Sequence, residues 1–209
     1  MNENPIKEEN YSDYKKRVEE LQGMIVSAYF DYYYLINISE RQKEYKGTSL
    51  GNFSMKQPTM FFNKIISVIQ KELLLIVWNL EDNNSNANSL NNLKAKLSNY
   101  LCDFNNYKNT LLKMPSPAFS SVNNIRNKYI AHVDLKRKIQ QVDLCEVKQR
   151  LDILKSCFNS YLFGDLNNCS VSAEMIEKIK NNCKTGVIEL LNGDMDKMYL
   201  LYKTDKNNN

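Results

Sequence analysis

The chain has 209 residues, 43% hydrophobic and 25% charged, ordinary proportions for a soluble globular protein with one well-filled core. Six glycines and four prolines are too few for a sandwich or barrel and favour long helices with short connections. A net charge of +4 fits a polyanionic partner but is too mild to demonstrate one, and five widely spaced cysteines with a single histidine cannot build a zinc cluster.

No Cys-x-x-Cys pair occurs among Cys102, Cys145, Cys157, Cys169 and Cys183, a pattern that fits reduced thiols in a cytoplasm. The opening "MNENPIKEENYSDY" is polar and acidic, unlike a signal peptide. The most apolar stretches are broken by Asp31 and by Gln70, Lys71 and Glu72, so no membrane span is expected and the protein reads as cytoplasmic. The Lys and Asn excess fits AT-rich coding and says little about mechanism.

Leu21, Ile25, Ala28, Tyr32 and Leu35 recur at helical spacing and predict a first helix over about 11–45. "KGTSLGNFSMKQP" breaks it. Phe62, Ile65, Ile66, Ile69, Leu73, Ile76, Val77 and Leu80 predict a second helix over about 59–81, apolar around much of its circumference and therefore buried. Ser89 is the N-cap expected for a third, with Leu90, Leu93, Leu97 and Leu101 on one face, running until "KMPSP" stops it.

Ser116 and Pro117 read as N-cap and first position of a fourth helix, over about 117–132. Leu144, Val147, Leu151, Leu154, Phe158 and Tyr161 form the stripe of a fifth, closed by Gly164. After the loop "DLNNCSVS" a sixth is expected from about Ala173 to Leu191, and the "NNN" end is expected to fray. No Gly-rich phosphate loop, strand alternation or internal repeat is visible. The expected fold is all-α, a single helical bundle of about five to six helices over 1–209, with its core at about 11–192 and a frayed tail at 203–209.

Three groups of residues can carry chemistry. The aromatic run Tyr29, Phe30, Tyr32, Tyr33 and Tyr34 can stack on bases, although packing along a long helix explains it better. Glu81 and Asp82 end the second helix with no histidine near them in sequence, a poor metal site that reads as structural or orienting. The stretch "NNIRNKYIAHVDLKRK" is different, because it places Arg126, one of five arginines beside 23 lysines, six positions before the only histidine, His132.

On a straight helix six residues turn about 600°, so Arg126 and His132 point about 120° apart. His132 shares a face with Val122, Ile125 and Tyr129, whereas Arg126 lies with Phe119, Ile130 and Val133. The two converge on one phosphate if the helix bends or ends near His132, or if a second subunit supplies the other half across a two-fold axis. The plainer explanation pairs Arg126 with a core carboxylate such as Glu72 or Asp82 and makes His132 a satisfied core imidazole.

"RNKYIAH" resembles the signature of the HEPN superfamily of helical proteins: an arginine, often with a following polar residue, then a histidine after a short spacer. Arg126, Asn127 and His132 match it. "IRNKYIAHVD" and "ELLLIVWNLEDNNSNANSLNNL" are similar to its abortive-infection U-like branch, and the order of helices follows it over about 15–190. Toxins of this superfamily that are controlled by a nucleotidyltransferase antitoxin often carry Tyr two residues after the His. Here that position is Asp134, a departure from that mode of control.

The resemblance implies an endoribonuclease acting as a toxin or phage-defence effector, with RNA as substrate, a homodimer, and an antitoxin or another defence-system protein as partner. Metal-independent cleavage needs a base for the 2′-hydroxyl, an acid for the departing 5′-oxygen and positive charge at the phosphorane. An imidazole serves as base or acid near neutrality, and a guanidinium offers a fork that lysine lacks. The catalytic set is then Arg126, His132 and Asn127, with Asp134 or Asp82 orienting, and no metal or cofactor. Lys128, Lys136, Arg137 and Lys138 are the expected RNA contacts. A HEPN module that binds RNA, nucleotide or a protein without cleaving is the alternative, and a plain helical scaffold is the third.

Overall fold

The computed structural model describes residues 5–44, 58–115 and 143–189. The fold is all-α, as the apolar spacing predicts. A 3-10 turn, Glu8–Asn10, leads into α1, Tyr11–Glu44, and α2 follows as Pro58–Glu81. Then come α3, Leu90–Tyr100, a single turn α4, Phe104–Tyr107, and α5, Leu144–Ser160. A 3-10 segment, Gly164–Cys169, precedes α6 over 173–189. Among the described residues there is no strand, only an isolated antiparallel bridge between Ile6 and Leu101. The segment 45–57 and the expected helix 117–132 lie outside the described residues.

Two compact units divide the chain: Met1–Ala28 with Leu73–Ala173, and Tyr29–Glu72 with Glu174–Asn209. In the first, Val18, Leu21 and Ile25 of α1, Leu80 of α2, Leu90, Leu93 and Leu97 of α3, and Leu151, Leu154 and Phe158 of α5 are buried. Removing side chains of this size from water is the main stabilising contribution. Tyr14 is also buried, and its hydroxyl donates to the Tyr161 carbonyl. Burial pushes that phenol well above its ordinary value, so it remains a donor. The Tyr100 ring lies 5.0 Å from Tyr14, and its hydroxyl donates to Asp13, which also accepts from Arg17 Nε at 3.1 and 3.2 Å.

Two expectations about boundaries need correction. The third helix does not run to "KMPSP"; it ends at Tyr100, and Leu101 is extended, with φ −89° and ψ 140°. The N-terminal segment competes for this backbone. Lys7 N–H donates to the Tyr100 carbonyl and Cys102 N–H to the Pro5 carbonyl, both at 2.8 Å, and Leu101 is buried all the same. Likewise α5 ends at Ser160 rather than at Gly164. Gly164, at φ 60°, starts the 3-10 segment inside the stretch expected to be a loop.

In the second unit Ile38 and Val187 are buried against Tyr34, Ile66 and Ile69. Asp31 lies near Glu72, so positions rise along α1 as they fall along α2, and the two helices run antiparallel there. Tyr29 and Tyr32 are buried, with the Tyr29 and Tyr33 rings 6.4 Å apart and the Tyr32 and Tyr33 rings edge-on at 5.1 Å. Phe30, Tyr33 and Tyr34 are half-buried, and the Phe30 and Tyr34 rings stack 6.5 Å apart, so packing takes up much of this aromatic run.

Candidate functional site

Arg126, Asn127, Lys128, His132, Asp134, Lys136, Arg137 and Lys138 lie outside the described residues. What the structure describes is how the chain on either side of them is held. On the N-terminal side, Leu112 N–H donates to Ser160 Oγ at 3.1 Å, and the Leu112 carbonyl accepts from the Tyr161 hydroxyl at 2.7 Å and from Lys94 Nζ at 3.3 Å. One residue on, the Lys113 carbonyl accepts from Cys157 Sγ at 3.6 Å. Burial raises both the Tyr161 phenol and the Cys157 thiol, which keeps these donors protonated.

On the C-terminal side, Asp143 caps α5, its Oδ1 accepting from Cys145 N–H at 2.8 Å and Glu146 N–H at 3.4 Å. The sequence reading named no cap for this helix, although an Asp just before the apolar stripe is the usual signal. The two anchors therefore sit at opposite ends of one helix. Seventeen residues of α5 span about 25 Å, so that helix sets the separation between the points where the Arg–His stretch leaves and rejoins the described fold.

Midway along α5, Arg150 is 4% exposed and pairs through Nε and Nη2 with the Glu81 carboxylate, the Nη2–Oε2 distance being 2.9 Å. The fork-on-carboxylate arrangement satisfies both charges, which neither could tolerate alone in this setting. Sequence reasoning missed Arg150, yet the signal was present. Val147, Arg150, Leu151, Leu154 and Phe158 share one helical face, and a guanidinium on such a stripe requires a carboxylate. Glu81, read as structural or orienting, is that carboxylate.

Asp82 closes the turn after α2. Its Oδ1 accepts from Asn84 N–H at 2.9 Å, and its carbonyl accepts from the Ser89 hydroxyl at 2.6 Å. Ser89 is wholly buried and caps α3 as expected, accepting from Asn92 N–H at 3.2 Å. Asparagines tie down the rest of the loop. Asn91 donates to the Glu81 carbonyl and Asn92 to that of Ala87, both at 2.7 Å, while Asn88 reaches Glu20 at 2.7 Å. The polar loop is thus a bonded frame that fixes the end of α2, where Glu81 meets Arg150.

All five cysteines are free thiols. No helix among the described residues is long and apolar enough to cross a membrane, and among them no group of His, Cys, Asp or Glu is placed to hold a metal ion. The described frame fixes only the flanks of the 116–142 stretch, Leu112 and Lys113 near one end of α5 and Asp143 at the other.

A family model described as AbiU2, of the HEPN type, matches residues 11–178. No curated protein and no solved structure matches the chain.

Proposed function

The chain belongs to the HEPN superfamily, in its AbiU2-like branch, and on that premise we propose that it is a metal-independent endoribonuclease acting as a toxin or phage-defence effector. The observation that carries this reading is the pairing of Arg126 with the lone His132, six residues on, in a chain whose family match spans both. His132 moves the proton between the 2′-hydroxyl, the imidazole and the departing 5′-oxygen. Arg126 holds the phosphate oxygens with its fork as charge builds on them. Asn127 fixes the phosphate or the imidazole tautomer, and Asp134 or Asp82 orients the ring.

A single imidazole is one short of a separate base and acid. A homodimer with the two 126–132 stretches facing each other supplies the second. Asp82 is already engaged as a turn acceptor through Oδ1, which makes Asp134 the better candidate for orienting His132. Lys128, Lys136, Arg137 and Lys138 supply contacts to the RNA backbone.

The test is cleavage of total RNA by the purified protein, beside His132→Ala and Arg126→Lys. Cleavage by the wild type and its loss in both folded variants is expected, since an ammonium keeps the charge but lacks the fork. Strong RNA binding with no cleavage, unaltered by His132→Ala, would move the protein to a binding module.

A further inference from the structure

In the unit formed by Tyr29–Glu72 and Glu174–Asn209, three helices bring two carboxyls and a thiol together. Asp31 of α1 has Glu72 of α2 beside it and lies close to Cys183 of α6. Asp31 is half-buried, and its Oδ2 is buried with no hydrogen-bond partner among the described residues. Glu72 is exposed and adds a like charge, and no cation among the described residues pairs with Asp31. On α6, Lys180 is engaged by Glu177 at 3.0 Å, near Tyr33. Cys183 is wholly buried, and its Sγ donates to the Phe30 carbonyl at 3.7 Å, a weak bond from a thiol. A turn further on, a Cβ at Gly186 would lie 3.7 Å from the Tyr34 hydroxyl, and Val187 is buried with Ile38. Elements held by apolar packing and weak polar ties open locally before the whole fold does.

We propose that Asp31 is a pH-sensitive latch on α6: ionised, it loosens this helix from α1 within the unit and admits solvent to Cys183. The cause is electrostatic. A neutral carboxyl is tolerated at a buried position without a partner, whereas a carboxylate beside Glu72 is costly there. Burial, with Glu72 adding to it, keeps Asp31 protonated up to about pH 7. Once the helix opens, the group returns toward its ordinary 3.8. Opening therefore becomes easier as pH rises from about 4 to 7, and no easier above that. It uncovers Ile176, Ile179, Cys183 and Val187, the buried stripe of α6.

The experiment labels the full chain with N-ethylmaleimide at about pH 6 and about pH 8, and follows Cys183 and Cys157 separately by peptide mass spectrometry. Each rate is divided by that of the urea-unfolded chain at the same pH, which removes the intrinsic reactivity of the thiolate. Cys157 is the control, because it is also buried but belongs to the other unit. Normalised labelling of Cys183 should exceed that of Cys157 and rise several-fold between the two conditions, up to about tenfold. Low urea should barely change it, because opening one helix exposes little surface. Asp31→Asn should abolish the rise and keep Cys183 slow at both, and Glu72→Gln should shrink it.

A Cys183 rate that does not change with pH, or that changes as much in Asp31→Asn and Glu72→Gln as in the wild type, would overturn the latch. Equal normalised rates at Cys157 and Cys183, rising together and steeply with urea, would also overturn it. Asp31 would then weaken the whole fold without releasing α6.

Discussion

Arg150 and Glu81 are 69 residues apart in sequence and meet as a buried, two-point ion pair between the middle of α5 and the last residue of α2. Taking one partner away strands a charge in a place with little water. Arg150→Ala should therefore cost about 3–5 kcal/mol in urea denaturation. Glu81→Ala with Arg150→Ala should be strongly non-additive, with a coupling energy of about 1–3 kcal/mol. Additive losses would show that the pair does not brace α5.

Ser89 predicts a smaller, local effect. Its hydroxyl both accepts from Asn92 N–H and donates to the Asp82 carbonyl, so Ser89→Ala leaves that part-buried carbonyl and amide without those partners. A loss of about 1–2 kcal/mol is expected, read by the denaturation midpoint. Ser89→Thr, which keeps the hydroxyl but adds a methyl at a wholly buried site, should not restore full stability.

Asp31 sets a pH dependence. Burial, with the Glu72 charge adding to it, raises its carboxyl from an ordinary 3.8 to about 7, and Oδ2 is buried with no hydrogen-bond partner among the described residues. Between those two values the folded chain holds a proton that the unfolded chain has released. This group's contribution to stability therefore falls as pH rises from about 4 to 7 and levels off above that. Asp31→Asn should remove the slope and stabilise the protein at pH 8. Because the group is only half-buried, the gain should be about 1–2 kcal/mol, well below what the full shift implies. Thermal midpoints at about pH 5 and pH 8 check this, and a variant as pH-dependent as the wild type would contradict it.

Oligomeric state is the fourth prediction. One histidine per chain, which on a straight helix would point about 120° from Arg126, calls for a second copy of the stretch. Sedimentation should show a dimer at micromolar concentration. A monomer with full cleavage would remove the argument.

Local chemistry made much of this fold legible. The stripes of α1, α2 and α5 and the cap at Ser89 depend on residues within a few positions of each other, and they fall where the spacing put them. What was not legible depends on partners far along the chain. Leu101 continues the leucine spacing of α3, but Pro5 and Lys7, some 95 positions earlier, bond the backbone on either side of it, at Cys102 N–H and the Tyr100 carbonyl. Arg150 shows the same limit, since its periodicity demands a carboxylate without saying which of 24 acidic residues supplies it. For the site itself, the Arg126–His132 spacing is visible in the sequence, whereas the anchoring of its flanks to Lys94, Cys157, Ser160 and Tyr161 is visible only in the structure.

The most direct measurement is end-group analysis of RNA cut by the purified protein in EDTA, with His132→Ala run beside it. Wild-type protein should cut, leaving a 2′,3′-cyclic phosphate and a 5′-hydroxyl, because the 2′-oxygen is the nucleophile. Folded His132→Ala should be slower by about 10² or more, the usual contribution of a general acid–base group. Cleavage that appears only with added magnesium, or that proceeds at wild-type rate without His132, would contradict the assignment of His132 as the proton-transfer group.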